Sequence, residues 1–149
     1  MRVTSRHNHL PFMLIRSFAT IAMLLLISCA SGPAFEKQDP GKLGILYVFR
    51  VFFVGGMAQF ANVTLDEKLC GDLPMKGYVA FPVTPGEHTT RLDIGIASTQ
   101  VKVNVPAGGA CYVRIEGADL RSLGCGDQIP NELKEAKNQS SKLAARCSN

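Results

Sequence analysis

From Lys42 onward the chain is a succession of short stretches in which apolar residues occupy every second position, each closed by Pro or Gly. Val101, Val103 and Val105 alternate with Lys102 and Asn104 and end at Pro106-Ala107-Gly108-Gly109, after which Cys111, Val113 and Ile115 alternate with Tyr112, Arg114 and Glu116. Ala61, Val63 and Leu65 alternate with Asn62, Thr64 and Asp66 in the same way. A period of two puts successive side chains on opposite faces, so each of these stretches reads as a half-buried strand. Leu43-Gly44-Ile45-Leu46-Tyr47-Val48-Phe49 is apolar nearly throughout, as expected of a strand covered on both faces. Gly77-Tyr78-Val79-Ala80-Phe81 follows, then a turn at Thr84-Pro85-Gly86 and a returning strand from Glu87 to Ile96. Strands of this length and spacing indicate a mainly β fold: an antiparallel β-sandwich of about six to seven strands.

The last segment changes period. Leu133, Ala136, Ser140, Leu143 and Cys147 recur at steps of three and four, one stripe of a helix that Pro130 is suited to open. A C-terminal α-helix lying against the sheet is expected.

The order of several motifs carries a resemblance. Leu46-Tyr47-Val48-Phe49-Arg50, Val63-Thr64-Leu65-Asp66-Glu67-Lys68, Gly77-Tyr78, Val83-Thr84-Pro85-Gly86-Glu87-His88 and Pro106-Ala107-Gly108-Gly109 with Cys111-Tyr112-Val113 follow one another as in a family of small bacterial lipoproteins. This is the domain-of-unknown-function family numbered 2846, and the likeness spans roughly residues 43–120. The chain departs from the pattern at Glu67, where the family's hairpin has Gly; Glu resists the positive φ of a tight type I′ turn. The family has no established activity, so the resemblance implies a fold and a location and no chemistry.

The N-terminus bears on location. Arg2, Arg6 and Arg16 precede an apolar core at residues 17–27 and no acid interrupts them, the order of a secretory signal. Those eleven residues fall short of the roughly 20 needed to span a bilayer. Leu26-Ile27-Ser28-Cys29 resembles the lipobox of bacterial lipoproteins, in which the cysteine thiol takes a diacylglycerol and the chain is cut just before it. The expected organisation is therefore a signal peptide over 1–28, lipidation (palmitate-type acylation) at Cys29, a flexible tether over 29–41 and one domain over 42–149. Met13 offers an alternative start, with a more compact signal. Asp after the lipidated cysteine tends to hold such proteins at the inner membrane. Ala30 stands there instead, which points to the outer membrane, facing the periplasm or the cell surface.

Removal of the signal region takes three arginines away, leaving thirteen basic residues against twelve acids. The basic balance of the whole chain is thus a targeting feature, and no basic run remains to suggest a nucleic-acid partner. It also removes His7 and His9, so His88 is the single histidine of the mature chain. A lone histidine on a strand reads as solvated surface. With no CxxC, nucleophile elbow, GxGxxG or P-loop pattern, neither a metal site nor a cofactor is expected.

Four cysteines remain besides Cys29, an even number in an exported chain, and hence disulfide candidates: Cys70, Cys111, Cys125 and Cys147. A hairpin turning at Asp66-Glu67 sets Cys70 opposite Val63, inward; Cys111 shares the face of Val113 and Ile115. Cys125 lies in a Gly-Cys-Gly loop and Cys147 on the helical stripe. The favoured pairing is Cys70–Cys111 within the sheet and Cys125–Cys147 pinning the helix, the alternative being that one pair stays as free buried thiols.

Two functions compete. One is a non-catalytic envelope module, anchored to the lipid bilayer through acylated Cys29 and binding or bracing an envelope protein or polymer. The other is a hydrolase using exposed acids such as Asp66, Glu67, Asp72 or Asp119, residues that turns recruit for solubility and local hydrogen bonds in any case. The stretch "RVFFVGGMAQF", residues 50–60, bears on the first. Its apolar run continues past the first strand, and alternation sends Phe52 and Phe53 to opposite faces. Either both rings are buried, or one of them and Met57 form a contact patch for a partner or lipid.

Overall fold

Strand β1 (Gly44–Arg50) organises the molecule, because its alternate side chains feed two separate apolar clusters. Leu46 and Val48 point into the space between two sheets, while Ile45, Tyr47 and Phe49 lie on the opposite face. The computed structural model describes residues 30–54 and 60–147. Among them, β1 is followed by β2 (Asn62–Leu65), β3 (Lys68–Asp72), β4 (Gly77–Val83), β5 (Gly86–Ile94), β6 (Ala97–Val105), β7 (Ala110–Glu116) and β8 (Asp119–Cys125). A one-turn helix α1 (Asn131–Lys134), a two-residue strand β9 (Lys137–Asn138) and helix α2 (Ser140–Cys147) complete the order. The fold is mainly β, two sheets in a sandwich with a small C-terminal helix.

One sheet has the order β8-β7-β1-β4-β9 and the other β3-β2-β5-β6. Most pairings are antiparallel, but β1 runs parallel to β7 and β4 parallel to β9. Each connection from an odd strand to the next, β1 to β2, β3 to β4, β5 to β6 and β7 to β8, therefore falls at one end of the sandwich. The β2–β3 and β4–β5 turns and the β6–β7 connection fall at the other. The inter-sheet core is built from side chains such as Val63, Phe81, Leu92, Val105 and Val113. Helix α2 packs on β3 and β4 and sends Leu143 into that core, closing one open flank. β8 approaches β6 on the other flank.

The β2–β3 hairpin makes a two-residue turn with φ of +46° at Asp66 and +68° at Glu67, so Glu67 accepts the left-handed conformation despite its side chain. The register shifts between Val63 and Thr64, placing Gly71 rather than Cys70 opposite Val63. Cys70 is buried all the same.

Two expectations are corrected. The single helix beginning at Pro130 is instead two short pieces separated by β9. The amide of Lys137 donates to the Lys76 carbonyl (2.7 Å) and that of Gln139 to the Tyr78 carbonyl (2.8 Å), so sheet pairing takes the groups a helix would have used. The stripe is split accordingly: Leu133 and Ala136 cover the outer face of β1, and Leu143 enters the inter-sheet core. The tether is not free either, for residues from Ala30 to Gln38 are docked on the domain. Phe35 inserts its ring against Tyr47 and Tyr78, with centroids 5.5 and 5.2 Å away. The two tyrosine hydroxyls accept hydrogen bonds from the backbone amides of Gln38 (2.8 Å) and Glu36 (3.4 Å). Buried hydroxyls need partners, and here the leader backbone supplies them. Asn138 and Gln139 add bonds to the Pro33 and Ser31 carbonyls. Gly32 is needed for this approach: its φ is +153°, and a Cβ there would come within 2.6 Å of the Asn138 carbonyl oxygen.

Candidate functional site

His88 is a buried side chain, 8 % exposed, and not the solvated surface residue its isolation suggests. It shares the inward face of β5 with Thr90, Leu92 and Ile94. Its Nδ1 lies 2.6 Å from Asp66 Oδ2 and its Nε2 lies 2.7 Å from the Thr84 carbonyl oxygen. A carbonyl and a carboxylate only accept, so this geometry suits a ring protonated on both nitrogens. Burial pulls the His88 pKa down, but the bonds to Asp66 and Thr84 more than offset this, and it stands above the ordinary histidine value. Asp66 Oδ1 also accepts the Thr89 amide at 2.8 Å. The ring thereby ties the β2–β3 turn to the β4–β5 turn. With both ring nitrogens engaged, it serves as a latch between the two turns.

The four cysteines form two disulfides, but not as expected: Cys70 pairs with Cys147 and Cys111 with Cys125. The reason is β8. Residues 119–125 extend the first sheet and put Cys125 directly opposite Cys111 in register. Helix α2 then carries Cys147 along β3 to Cys70. All four candidates are used, in the pairing that joins the terminal helix to the sheet edge.

Phe52 and Phe53 are both substantially exposed, together with Val54 and Phe60. β1 ends at Arg50, so the alternation that would have buried one ring does not extend to them. Lys76 lies over the Phe52 ring, 5.8 Å from its centroid. Arg50 itself is buried at the foot of this group and donates to the Leu73 carbonyl at 3.1 Å; burial lowers its pKa. The third residue of the suspected patch, Met57, lies outside the described residues, as do the signal region and Cys29.

The acids considered for hydrolysis are not gathered in one place. Asp66 belongs to the latch, and Glu67 stands exposed beside it. Asp72, at the far end of β3, accepts the Ala61 amide at 2.6 Å, and Asp119 pairs with Arg121 at 2.6 Å. Among the described residues no three His, Cys, Asp or Glu side chains converge on a common point suited to a cation. A wide shallow cleft of about 950 Å³ runs between the end of β8 and α1, with Tyr112 at its base. The Tyr112 hydroxyl is buried with no hydrogen-bond partner among the described residues, and burial raises its pKa. Nothing in the sequence pattern marks this cleft, because segment 126–131 that walls it has no regular period. Two arrangements thus stand out: a closed polar latch at one end of the sandwich and an exposed aromatic group at the other. No protein-family profile matches the chain, and no characterised protein matches it in sequence.

Proposed function

We propose that this chain is a lipid-anchored lipoprotein of the bacterial envelope, a member of the domain-of-unknown-function family numbered 2846, held at the outer membrane facing the periplasm. Its β domain acts as a non-catalytic binding or structural module. The observation that carries this reading is the use of cysteine. Of five, four are consumed in two bridges, as suits an oxidising compartment, and the fifth is the cysteine of the lipobox-like Leu26-Ile27-Ser28-Cys29. No helix of the described residues is long and apolar enough to cross a membrane. The non-catalytic reading is supported by the engagement of His88, Asp66, Asp72 and Asp119 in structural contacts. Two or three acyl chains hold a protein stably where one would not. Cys29→Ala tests the anchor: the variant is expected to lose labelling by radioactive palmitate and to leave the membrane fraction. A variant that keeps both would overturn the reading.

A further inference from the structure

The connections at the β1–β2, β3–β4, β5–β6 and β7–β8 end of the sandwich carry most of the large apolar side chains that the domain leaves in the open. Phe52 is 48 % exposed, Phe53 43 %, Val54 71 % and Phe60 73 %, and Ile96 at the tip of the β5–β6 hairpin is fully exposed. Phe53 is propped outward by the β7–β8 turn. A Cβ on Gly117, whose φ is +61°, would meet the Phe53 ring at 3.2 Å. Scattered single apolar residues need no explanation, but a cluster at one pole does.

The start of the described chain lies at the same pole. The Ala30 amide donates to the Met75 carbonyl at 2.9 Å, in the β3–β4 connection, and the next residue, Lys76, is the one over Phe52. The docked leader fixes this position through Phe35, Pro33 and Ser31. Cys29 is the next residue before Ala30, and consecutive Cα atoms are only ~3.8 Å apart. A lipid on Cys29 thus enters the bilayer beside the aromatic group, with no slack to hold the domain away from the surface.

We propose that Phe52, Phe53, Val54 and Phe60 form a membrane-docking rim that seats the domain directly on the lipid surface next to its own anchor. The proposal rests on lipidation of Cys29 for its geometry. Aromatic and aliphatic side chains at such a rim settle into the boundary between headgroups and acyl chains. The Lys76 ammonium lies over the Phe52 ring, at the rim itself, where its flexible stem lets it meet headgroup phosphate. Of the acids at this pole, exposed Glu132 and Glu135 line the same surface as Phe52 and Lys76, and Glu132 shares Arg114 with Glu116; the rest are paired. Glu116 pairs with Arg114, Asp119 with Arg121 and Asp93 with Arg91. The consequence is orientation: the latched pole, with the β2–β3 and β4–β5 turns, faces away from the membrane toward whatever the module meets.

The chain contains no tryptophan, which gives a direct test. Phe53→Trp and Phe60→Trp each place one indole on the rim, and Leu69→Trp places one on exposed β3 toward the other pole. Each full-length protein is purified from membranes and reconstituted into phosphatidylcholine vesicles brominated on the upper acyl chain, with thermal melting to show that it is folded. The rim indoles are expected to be quenched at least about twofold more than that of Leu69→Trp, as befits rings ~5–10 Å into the interface. Quenching of both rim indoles no greater than the control would overturn the proposal and leave the rim to a protein partner. The mass of the N-terminal peptide reads the anchor independently. An unmodified Cys29 with quenched rim indoles refutes lipidation and keeps the docking rim; an acylated Cys29 with unquenched ones does the reverse.

Discussion

At one pole of the sandwich two turns are drawn together by His88, whose ring nitrogens are both engaged, and the adjacent strands β7 and β8 are joined by Cys111–Cys125. At the other pole the inner connections are also tied, Arg50 to Leu73 and Asp72 to Ala61, yet the outer layer is apolar and open. The same strands feed both poles, so the difference lies in their connections. At the latched pole the β2–β3 and β4–β5 turns are two residues long and the β6–β7 connection has four residues. The open pole carries the longer β1–β2 connection, whose described residues Phe52, Phe53, Val54 and Phe60 stand exposed. Rigidity at one pole and surplus apolar surface at the other is the division expected of a module that sits on one surface and presents another.

Removing the disulfides is the most disruptive way to test that division. In the chain-entropy account, a bridge stabilises by restricting the unfolded chain, more so for longer loops. Cys70–Cys147 closes a separation of 77 residues and Cys111–Cys125 one of 14, which correspond to ~4.5 and ~3 kcal/mol. Cys147→Ser and Cys125→Ser, each with its partner also changed to Ser, are expected to lower urea stability in that order. A larger loss from the shorter loop would mean that the latched pole holds the molecule together more than the α2 flank does.

The next test is pH. The folded His88 pKa is raised, so the latch contributes fully below the ordinary histidine value of ~6.5 and is lost as pH rises through the folded-state value. His88→Gln keeps the size of the side chain but not its charge. At pH 6 it is expected to cost about 1.5 kcal/mol, at the low end for bonds to a charged group because Asp66 is half exposed. It should also flatten the decline in stability that the parent shows on the alkaline side. A parent whose stability is level from pH 6 to 9 would remove the imidazolium from the account.

How much of this was legible in the sequence follows from which residues alternate. β1 reads as doubly covered because every residue in it before Arg50 is apolar or small, and both of its faces are indeed buried. His88 could have been placed inward, since it is in phase with Leu92 and Ile94. β8 was not legible: only Leu120 of its seven residues is buried, so an edge strand with an exposed face leaves no apolar rhythm, and the disulfide pairing went with it. The break at β9 was hidden because Leu133, Ala136, Leu143 and Cys147 satisfy a helical period while packing on two different faces. In the leader, Gly, Pro and Ser suggested a tether, and the single aromatic that docks it, Phe35, carries no periodic signal at all.

The smallest expected effect is the most discriminating for the open pole. Truncating a core phenylalanine costs about 3–5 kcal/mol, from lost transfer energy and the cavity left behind. Phe49, at 0 % exposure on β1, is such a residue. Phe52 and Phe53 keep almost half their surface in solvent in the folded state, so truncation removes little buried area and leaves no closed cavity. Phe52→Ser and Phe53→Ser should each change urea stability by less than about 1 kcal/mol, Phe53 the more because its ring packs on Gly117. Phe49→Ser serves as the core reference in the same series. A loss at Phe52 or Phe53 approaching that of Phe49 would make the open pole a second core, and the contrast between the poles would vanish. A small loss leaves the two rings exposed in a folded protein for reasons other than stability, which is the condition a docking surface must meet.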